Sequence, residues 1–594
     1  MNELLLRLKN HPVITIELIV ASFFVNFLGL ASSLYIIQLL NRYVSHGVDA
    51  TLYTLTIGVC IAILLEFGFR RARSSLATYL GAKRNYELMI GTFGILTNGK
   101  MKFLDRIPQR LRQEIVKGTN TVEDAYKSSN IAAIFDLPFA FIFIAVLTWL
   151  SSTLSIITLI FMLLIFILGI ISRQVVKKNL NKVTEASVKG NGLFSTANQS
   201  LDTVRLFDNN QFMLNEWGKN CNEFLDKRAA VSEQQDLIQS ITRSAQSLMS
   251  VAIYAAGAVL TVNGDITVGS LIGANILAMR ALGPISRFTY LGEAFTMAEQ
   301  ALERIKQFGQ IETERQGGIA LKSYQGRIQF KDVAFTHQGM SHPLFESLDL
   351  EILPGAVLVV TGENGTGKTT LCRLIAGLLE PDRGQILADG VDLRQLSPAW
   401  WRLQLTYMPQ DVQFLPASIR ENLLAAVSYF NAKRADVDFN AVKASVDKVS
   451  DNKIENSNLS ESEEHAVVNL NKIIKDAGLI NFIDQSQQGL DTQIINNGAN
   501  LSTGHRKRLV LARALAVGGR LVLFDEPTEG LDRQGCNTIY SLLVELSKKG
   551  HTMIIFTQDS NIIRGATRIL DLNSKPVPKI VISDPKTLES KSNG

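Results

Sequence analysis

Cysteine is nearly missing. The 594-residue chain has four, Cys60, Cys221, Cys372 and Cys536, and none stands at CxxC or metal-ligand spacing, which excludes a disulfide framework or a zinc site. A reduced, cytosolic side is the simplest setting for them. Charge is also sparse, at 19% of residues with a net +5, and no basic cluster is interleaved with aromatics. That excludes nucleic acid as a partner. The first residues, "MNELLLRLKNHP", lack a short apolar core followed by a small-residue cleavage site, so no removed signal peptide is expected. No internal repeat of 20 to 50 residues is apparent.

What the chain has in plenty is apolar sequence: 46% hydrophobic residues and a positive mean hydropathy, high for a soluble protein. The long runs lie in the first half, at Val13–Leu40, Leu52–Phe69, Ala133–Leu150, Leu154–Ile171, Leu248–Val262 and Ile266–Leu282. A bilayer core of roughly 30 Å takes about 20 apolar residues per helix, so these predict six transmembrane helices. The link Arg70–Asn130 holds twelve Lys/Arg against five Asp/Glu, whereas the three short links hold one base, Arg42. By the positive-inside rule the long links and both termini are cytoplasmic. Those long links have few Gly or Pro and sustained helical patterning, and are predicted to prolong the membrane helices into the cytosol.

From about Gly326 the pattern changes. Strand-like runs, "RIQFKDVAF", "AVLVVTG", "RLVLFDEP" and "TMIIFTQ", alternate with helical stretches, which predicts an α/β domain with a largely parallel sheet. The expected organisation is a cytosolic segment at 1–12, an all-α transmembrane domain at 13–310, a polar linker at 311–325, the α/β domain at 326–575 and a tail at 576–594. "AVLVVTG" runs into "GENGTGKTT", comprising Gly362, Glu363, Asn364, Gly365, Thr366, Gly367, Lys368, Thr369 and Thr370. This is G-x-x-x-x-G-K-[ST] between a strand and a helix. Backbone N–H groups of such a loop wrap phosphates, Lys368 neutralises them, and Thr369 offers a hydroxyl to Mg²⁺. Downstream, "RLVLFDEP" ends an apolar strand in two carboxylates, Asp525 placed to hold Mg²⁺ through water and Glu526 to polarise the attacking water.

The order of motifs carries a resemblance. Residues from about 326 to 575 resemble the nucleotide-binding domain of ATP-binding-cassette transporters, a P-loop NTPase fold. "TGENGTGKTTLCRLIAGLLEPDRGQILADG" is similar to the Walker A region and "YMPQD" to the following loop, with Gln410 as its Mg²⁺-touching glutamine. "ASIRENL", "NLSTGHRKR" at the signature position, "LVLFDEP" as Walker B, "EGLD" with Asp532 as the D-loop acid, and "IIFTQD" at the switch loop follow in order. The resemblance implies a half-transporter that binds ATP and Mg²⁺ and works as a dimer. It implies Glu526, Gln558 and Gln410 as the catalytic set, Thr369, Gln410 and Asp525 around the metal, and Ser502, Gly504 and Asp532 facing nucleotide across the dimer. Coupling helices are implied near Lys102–Arg112 and Val204–Phe212. "AAIFDLPFA" and "MRALGPISR" further resemble type I secretion exporters of the bacterial inner membrane, which pass unfolded proteins outward with a membrane-fusion adaptor and an outer-membrane channel. A peptidase-like domain found ahead of the membrane region in some of these is expected to be absent. For Asp136 and Pro138 two readings stand: a helix-start acid with a Pro opening the third membrane helix, or a contact with substrate.

Three positions depart from the family pattern. The usual Leu-Ser-Gly-Gly-Gln is here Leu501, Ser502, Thr503, Gly504 and His505, so a Cβ and methyl stand where glycine allows close approach. Gln558 replaces the usual switch histidine; an amide can donate one hydrogen bond but cannot become cationic. His337 takes the place of the aromatic that stacks on adenine. With Glu526 intact these changes predict a slow ATPase rather than a dead one. A chain altered in both signature and switch contributes one defect to each site of a heterodimer, or both defects to both sites of a homodimer; the homodimer is favoured. Protein or peptide export is the main expectation. A lipid or amphiphile exporter and a hydrolysis-poor ATP-binding half of a heterodimer are the alternatives. The polar insertion 431–468 reads as solvated surface or as a docking site, and the end after Asp571 as a frayed extension.

Overall fold

The computed structural model describes residues 2–44, 47–199, 201–337, 342–424 and 470–582; the insertion 431–468 lies outside them. Two compact units divide the chain. One holds residues 1–99 and 103–312, the other 313–594 together with Lys100–Lys102.

The first unit is helical. Its main helices are α1 (Pro12–Gln38, continued by a π-helical turn at Leu39–Val44), α2 (Asp49–Asn98), α3 (Gln109–Ala125), α4 (Ser128–Asp136), α5 (Ala140–Leu150), α6 (Ser152–Gln199), α7 (Asn210–Val262), α8 (Val268–Tyr290) and α9 (Gly292–Phe308). Among the described residues six stretches are long and apolar enough to cross a membrane, and they cover the six runs read from the sequence except for Ile266 and Thr267, which precede the last. The helices α2, α6 and α7 reach 50, 48 and 53 residues. At 1.5 Å per residue each exceeds what a bilayer core requires, so the long links are indeed extensions of membrane helices.

Phe143, Leu147, Leu154, Ile165, Met249, Ile253 and the Ala274–Ile285 face of α8 form the core of this unit. Small residues let backbones approach, as expected where lipid offers no hydrophobic contrast. At Gly273 a Cβ would stand 2.2 Å from the Ile37 side chain, so α1 and α8 meet there only because the residue is glycine. The apolar window of α2, by contrast, is 0% buried within the chain. Asp136 does not start a helix: it ends α4, and its carboxylate accepts from Arg73 Nη1 at 2.5 Å and Asn26 Nδ2 at 2.8 Å. A buried guanidinium on α2 needs a counter-charge in an apolar surrounding, and that is what fixes the acid. Pro138 sits in the turn between α4 and α5.

The second unit is α/β. A six-stranded sheet runs β10-β9-β3-β8-β7-β6, with β3 (Val357–Thr361), β6 (Leu405–Met408), β7 (Leu521–Asp525), β8 (Thr552–Phe556), β9 (Arg568–Asp571) and β10 (Lys579–Ile582). All its pairings are parallel except β9–β10. Every residue of β7 and β8 is buried, as parallel strands covered on both faces require. An antiparallel sheet, order β2-β1-β4-β5, combines β1 (Ile328–Phe335), β2 (Phe345–Ile352), β4 (Arg383–Ala388) and β5 (Val391–Asp392). Residues 313–325 pack on this unit through buried Tyr324 and a bridge from Ile319 to Leu396. The end of the chain is not frayed directly after Asp571. The β-branched run Ile580–Ile582 pairs with β9, and Leu572 is buried.

Candidate functional site

The carboxyl ends of β3, β7 and β8 lie side by side in the sheet, since Val360 pairs with Phe556 and Asp525 pairs with the same Phe556. Each strand hands its next residues to one edge, where parallel sheets bind ligands. From β3 comes the loop Gly362–Gly367, opening helix α10 (Lys368–Ile375). Gly367 has φ +108°, and a Cβ there would lie 2.5 Å from a Leu344 methyl, so both conformation and space call for glycine.

Lys368 is buried and donates to the Gly362 carbonyl at 2.7 Å, with Glu526 Oε1 at 3.1 Å. Thr369 Oγ1 donates to Gln410 Oε1 at 3.4 Å, and Gln410 Nε2 donates to Glu529 Oε2 at 3.1 Å. Asp525 is 1% exposed and, among the described residues, neither carboxylate oxygen has a hydrogen-bond partner. Burial pushes its carboxyl up to about 6; the Thr369 hydroxyl, Lys368 and Arg373 oppose the shift and the Glu526 charge adds to it. A buried, unsatisfied pair of oxygens beside a threonine hydroxyl and a glutamine is a donor set of the hard-oxygen kind that suits Mg²⁺. From β8 comes Gln558, whose Nε2 donates to Gly362 O at 2.8 Å and reaches Asn364 Oδ1 at 3.5 Å. His337 Nε2 lies 2.9 Å from Thr370 Oγ1, and its ring meets Phe335 edge-on at 5.3 Å.

So the structure brings together the loop, Lys368, Thr369, Gln410, Asp525, Glu526 and Gln558, and ties His337 to them through Thr370. Ser502, Gly504 and Asp532 stand elsewhere. Ser502 is the N-cap of α11 (Thr503–Val517), its hydroxyl oxygen accepting from the His505 N–H at 3.2 Å. Among the described residues a Cβ at Gly504 would meet nothing within 4 Å, leaving the start of this helix open to an anion. The His505 ring lies 4.2 Å from that of Phe482, and its pKa is lowered by burial and by Arg508. Asp532 caps α12 (Arg533–Lys548), its Oδ1 accepting from Gly535 N at 2.7 Å and from Arg508 at 3.4 Å.

Sequence reasoning missed Lys507. This lysine of α11 has a side chain 7% exposed, and its Nζ donates to the backbone oxygen of Glu526 at 2.8 Å, with Glu529 Oε2 at 4.0 Å. Glu526 itself has φ +48°, a left-handed conformation that costs a non-glycine residue about 1–2 kcal/mol. No spacing signal marks the pair; only the burial of a cation in the "HRKRLVLARAL" helix hints at it. Asn573 was missed as well; it accepts from the Glu363 N–H at 2.8 Å and pins the loop.

Residues 345–529 match the family described as ABC transporter, and residues 15–285 the family described as ABC transporter transmembrane region. The exotoxin translocation ATP-binding protein PaxB of Pasteurella aerogenes is similar, 24% identical over 94% of this chain and 73% of its own length. The toxin RTX-I translocation ATP-binding protein of Actinobacillus pleuropneumoniae is 24% identical over 97% of this chain and 77% of its own. The alpha-hemolysin translocation ATP-binding protein HlyB of Escherichia coli O157:H7 is 25% identical over 94% and 74%. A solved bacterial Atm1-family ABC exporter with ATP bound shares the fold, with a TM-score of 0.75 at 18% identity over 95% of this chain and 94% of that one.

Proposed function

The chain belongs to the ABC transporters, and from that premise we propose that it drives protein or peptide export as the inner-membrane component of a type I secretion-like system. It is an integral membrane protein whose ATPase domain binds ATP and is coupled to transport. The export reading rests on the toxin translocators that match it along nearly its whole length. The hydrolytic part of the reading is carried by one observation: Glu526 and unpartnered Asp525 stand beside the phosphate loop and its lysine.

In this reading the loop N–H groups and Lys368 hold the phosphates of ATP. Thr369, Gln410 and Asp525 would hold Mg²⁺, which when bound would supply charge to offset that developing on the transferred phosphoryl group. Glu526 orients and polarises water in line with the γ-phosphate, and Gln558, released from the Gly362 carbonyl, donates to that phosphate. His337 supports the adenine. Ser502, the open start of α11 at Gly504, and Asp532 face nucleotide held by a second copy, so the working unit is a homodimer. Thr503 puts a methyl where that approach is closest and Gln558 supplies a neutral donor, so hydrolysis is slow. Nucleotide domains and both termini lie on the cytoplasmic side, and a membrane-fusion adaptor and an outer-membrane channel complete the path.

Steady-state ATPase of the full chain in lipid, beside Glu526→Gln, tests the core of this. Turnover no greater than in the Glu526→Gln protein would leave only a nucleotide-gated subunit. Crosslinked affinity isolation tests the assembly: an adaptor and a channel are expected, and a second half-transporter in their place would replace the homodimer.

A further inference from the structure

The first unit contains a cavity of about 250 Å³ where α1, α2, α4, α5 and α8 meet. Six charged side chains line it: Arg70, Arg73, Arg280 and Arg287 against Glu66 and Asp136. Glu66 is taken by Arg70 one turn along α2. Asp136 is taken by Arg73 and Asn26. The two arginines of α8 are left over. Arg280 donates to the neutral hydroxyl of Ser32 at 2.8 Å, and among the described residues Arg287 has no hydrogen-bonding or acidic partner.

Two surplus positive charges at the edge of a set of membrane helices, Arg280 half-buried and Arg287 exposed, call for an anion to meet them. They stand seven residues, two turns, apart on one face of α8, with Gly283 and Pro284 of the same helix also lining the cavity. Pro284 cannot donate to the carbonyl of Arg280, so the helix lacks that hydrogen bond beside the point where the charge is concentrated. The cavity also has a definable depth. Arg70 follows directly on the apolar run Leu52–Phe69 of α2, where the basic link begins, and this places the cavity at headgroup level on the basic side of the bilayer. The apolar window of α2 that leads to it is 0% buried, with Leu64, Leu65 and Phe67 all exposed, so acyl chains have a surface to lie on.

We propose that this cavity binds the phosphate headgroup of an anionic phospholipid, with Arg280 and Arg287 as its principal contacts. The inference concerns the membrane unit alone and stands whether or not the cargo is a protein.

The test uses the full chain in nanodiscs of equimolar phosphatidylglycerol and phosphatidylcholine, followed by native mass spectrometry of retained lipid. Wild type is expected to retain phosphatidylglycerol preferentially. Each of Arg280→Gln and Arg287→Gln should lower that preference about fivefold, the worth of one basic residue at such a surface. Arg71→Gln, which removes a neighbouring exposed base outside the cavity, should leave it unchanged. The Arg287 variant removes an exposed side chain and so keeps the test independent of folding. Equal retention of the two lipids by wild type, or an equal loss in Arg71→Gln, overturns the proposal. So does displacement of the lipid by excess inorganic phosphate, which would mark a free-anion site. Capture of a hexaglutamate peptide in phosphatidylcholine discs that is abolished in Arg287→Gln would assign the cavity to cargo instead.

Discussion

Replacing Lys507 by methionine keeps the length of the side chain and removes its charge. In the native chain the Lys507 ammonium donates to the Glu526 carbonyl at 2.8 Å, where Glu526 sits at φ +48°. Losing a charge-assisted hydrogen bond to a buried acceptor costs about 1.5–3 kcal/mol. That is enough to release a backbone whose left-handed conformation costs about 1–2 kcal/mol by itself. The Glu526 carboxylate then spends most of its time away from its position near Lys368. At about 2 kcal/mol, with 1.36 kcal/mol per decade, kcat should fall about 30-fold. ATP affinity should stay within about twofold, because the loop glycines, Lys368 and Thr369 are untouched by α11. Lys507→Gln, which keeps a donor, should recover part of the loss. Steady-state ATPase in lipid gives kcat, and equilibrium binding of a fluorescent ATP analogue gives affinity. A kcat within twofold of wild type, or an affinity loss as large as the rate loss, would show that Lys507 does not act through Glu526.

Gln558→His should speed single-turnover cleavage of ATP by about an order of magnitude, the usual worth of a well-placed proton-carrying group being at least that; an unchanged rate would remove the switch residue as a cause of the slow turnover proposed above. Asp525→Asn should raise the thermal midpoint of the nucleotide-free protein at pH 7.5. Burial lifts this carboxyl from 3.8 to about 6, so the folded state prefers the protonated form and loses stability as pH rises through that window, by at most ~3 kcal/mol above it. The same variant should lose the stabilisation that Mg²⁺ with ATP gives wild type, and a midpoint below wild type at pH 7.5 would contradict the sign. Asp136→Asn leaves the buried Arg73 guanidinium without its counter-charge and should destabilise the membrane unit by about 3–5 kcal/mol. Thermal unfolding followed in detergent reads this directly, and a melting curve superimposable on wild type would refute it.

What was legible in the sequence is what is local. The loop from Gly362 to Thr370 announces itself because phosphate binding needs glycine at fixed offsets beside one lysine and one hydroxyl. Strands β3, β7 and β8 announce themselves because a strand whose middle is buried on both faces must be apolar there. The six membrane runs follow from bilayer thickness in the same way. What was not legible depends on partners distant in the chain. Asp136 reads as a helix-start acid or a substrate contact until Arg73, 63 residues away, is seen against it. Lys507 reads as one of three bases in "HRKR" until the fold closes over it. The strand β10 was hidden by the prolines before it, Pro576 and Pro578, which suggest an irregular end although Ile580–Ile582 still pairs.

The departures at the signature and switch positions take on a physical connection once the hydrogen bonds are in place. The Gly362 carbonyl accepts from Lys368 and from Gln558 at once. A phosphate entering the loop competes for both donors, and each must leave the same oxygen to meet it. For Lys368 the exchange is favourable, a full charge moving from a carbonyl to an anion. For the neutral amide of Gln558 the gain is smaller, so this side chain is the one held back on the loop. Meanwhile α11 reaches the same edge of the sheet by two routes. Lys507 fixes the Glu526 backbone within the chain, and Ser502, Thr503 and Gly504 present the start of that helix outward. In the proposed homodimer a poor fit at Thr503 against the second copy would therefore bear on the helix that positions Glu526. In the proposed cycle, signature and switch would then act as successive brakes on one step, closure around the γ-phosphate, rather than as two unrelated losses.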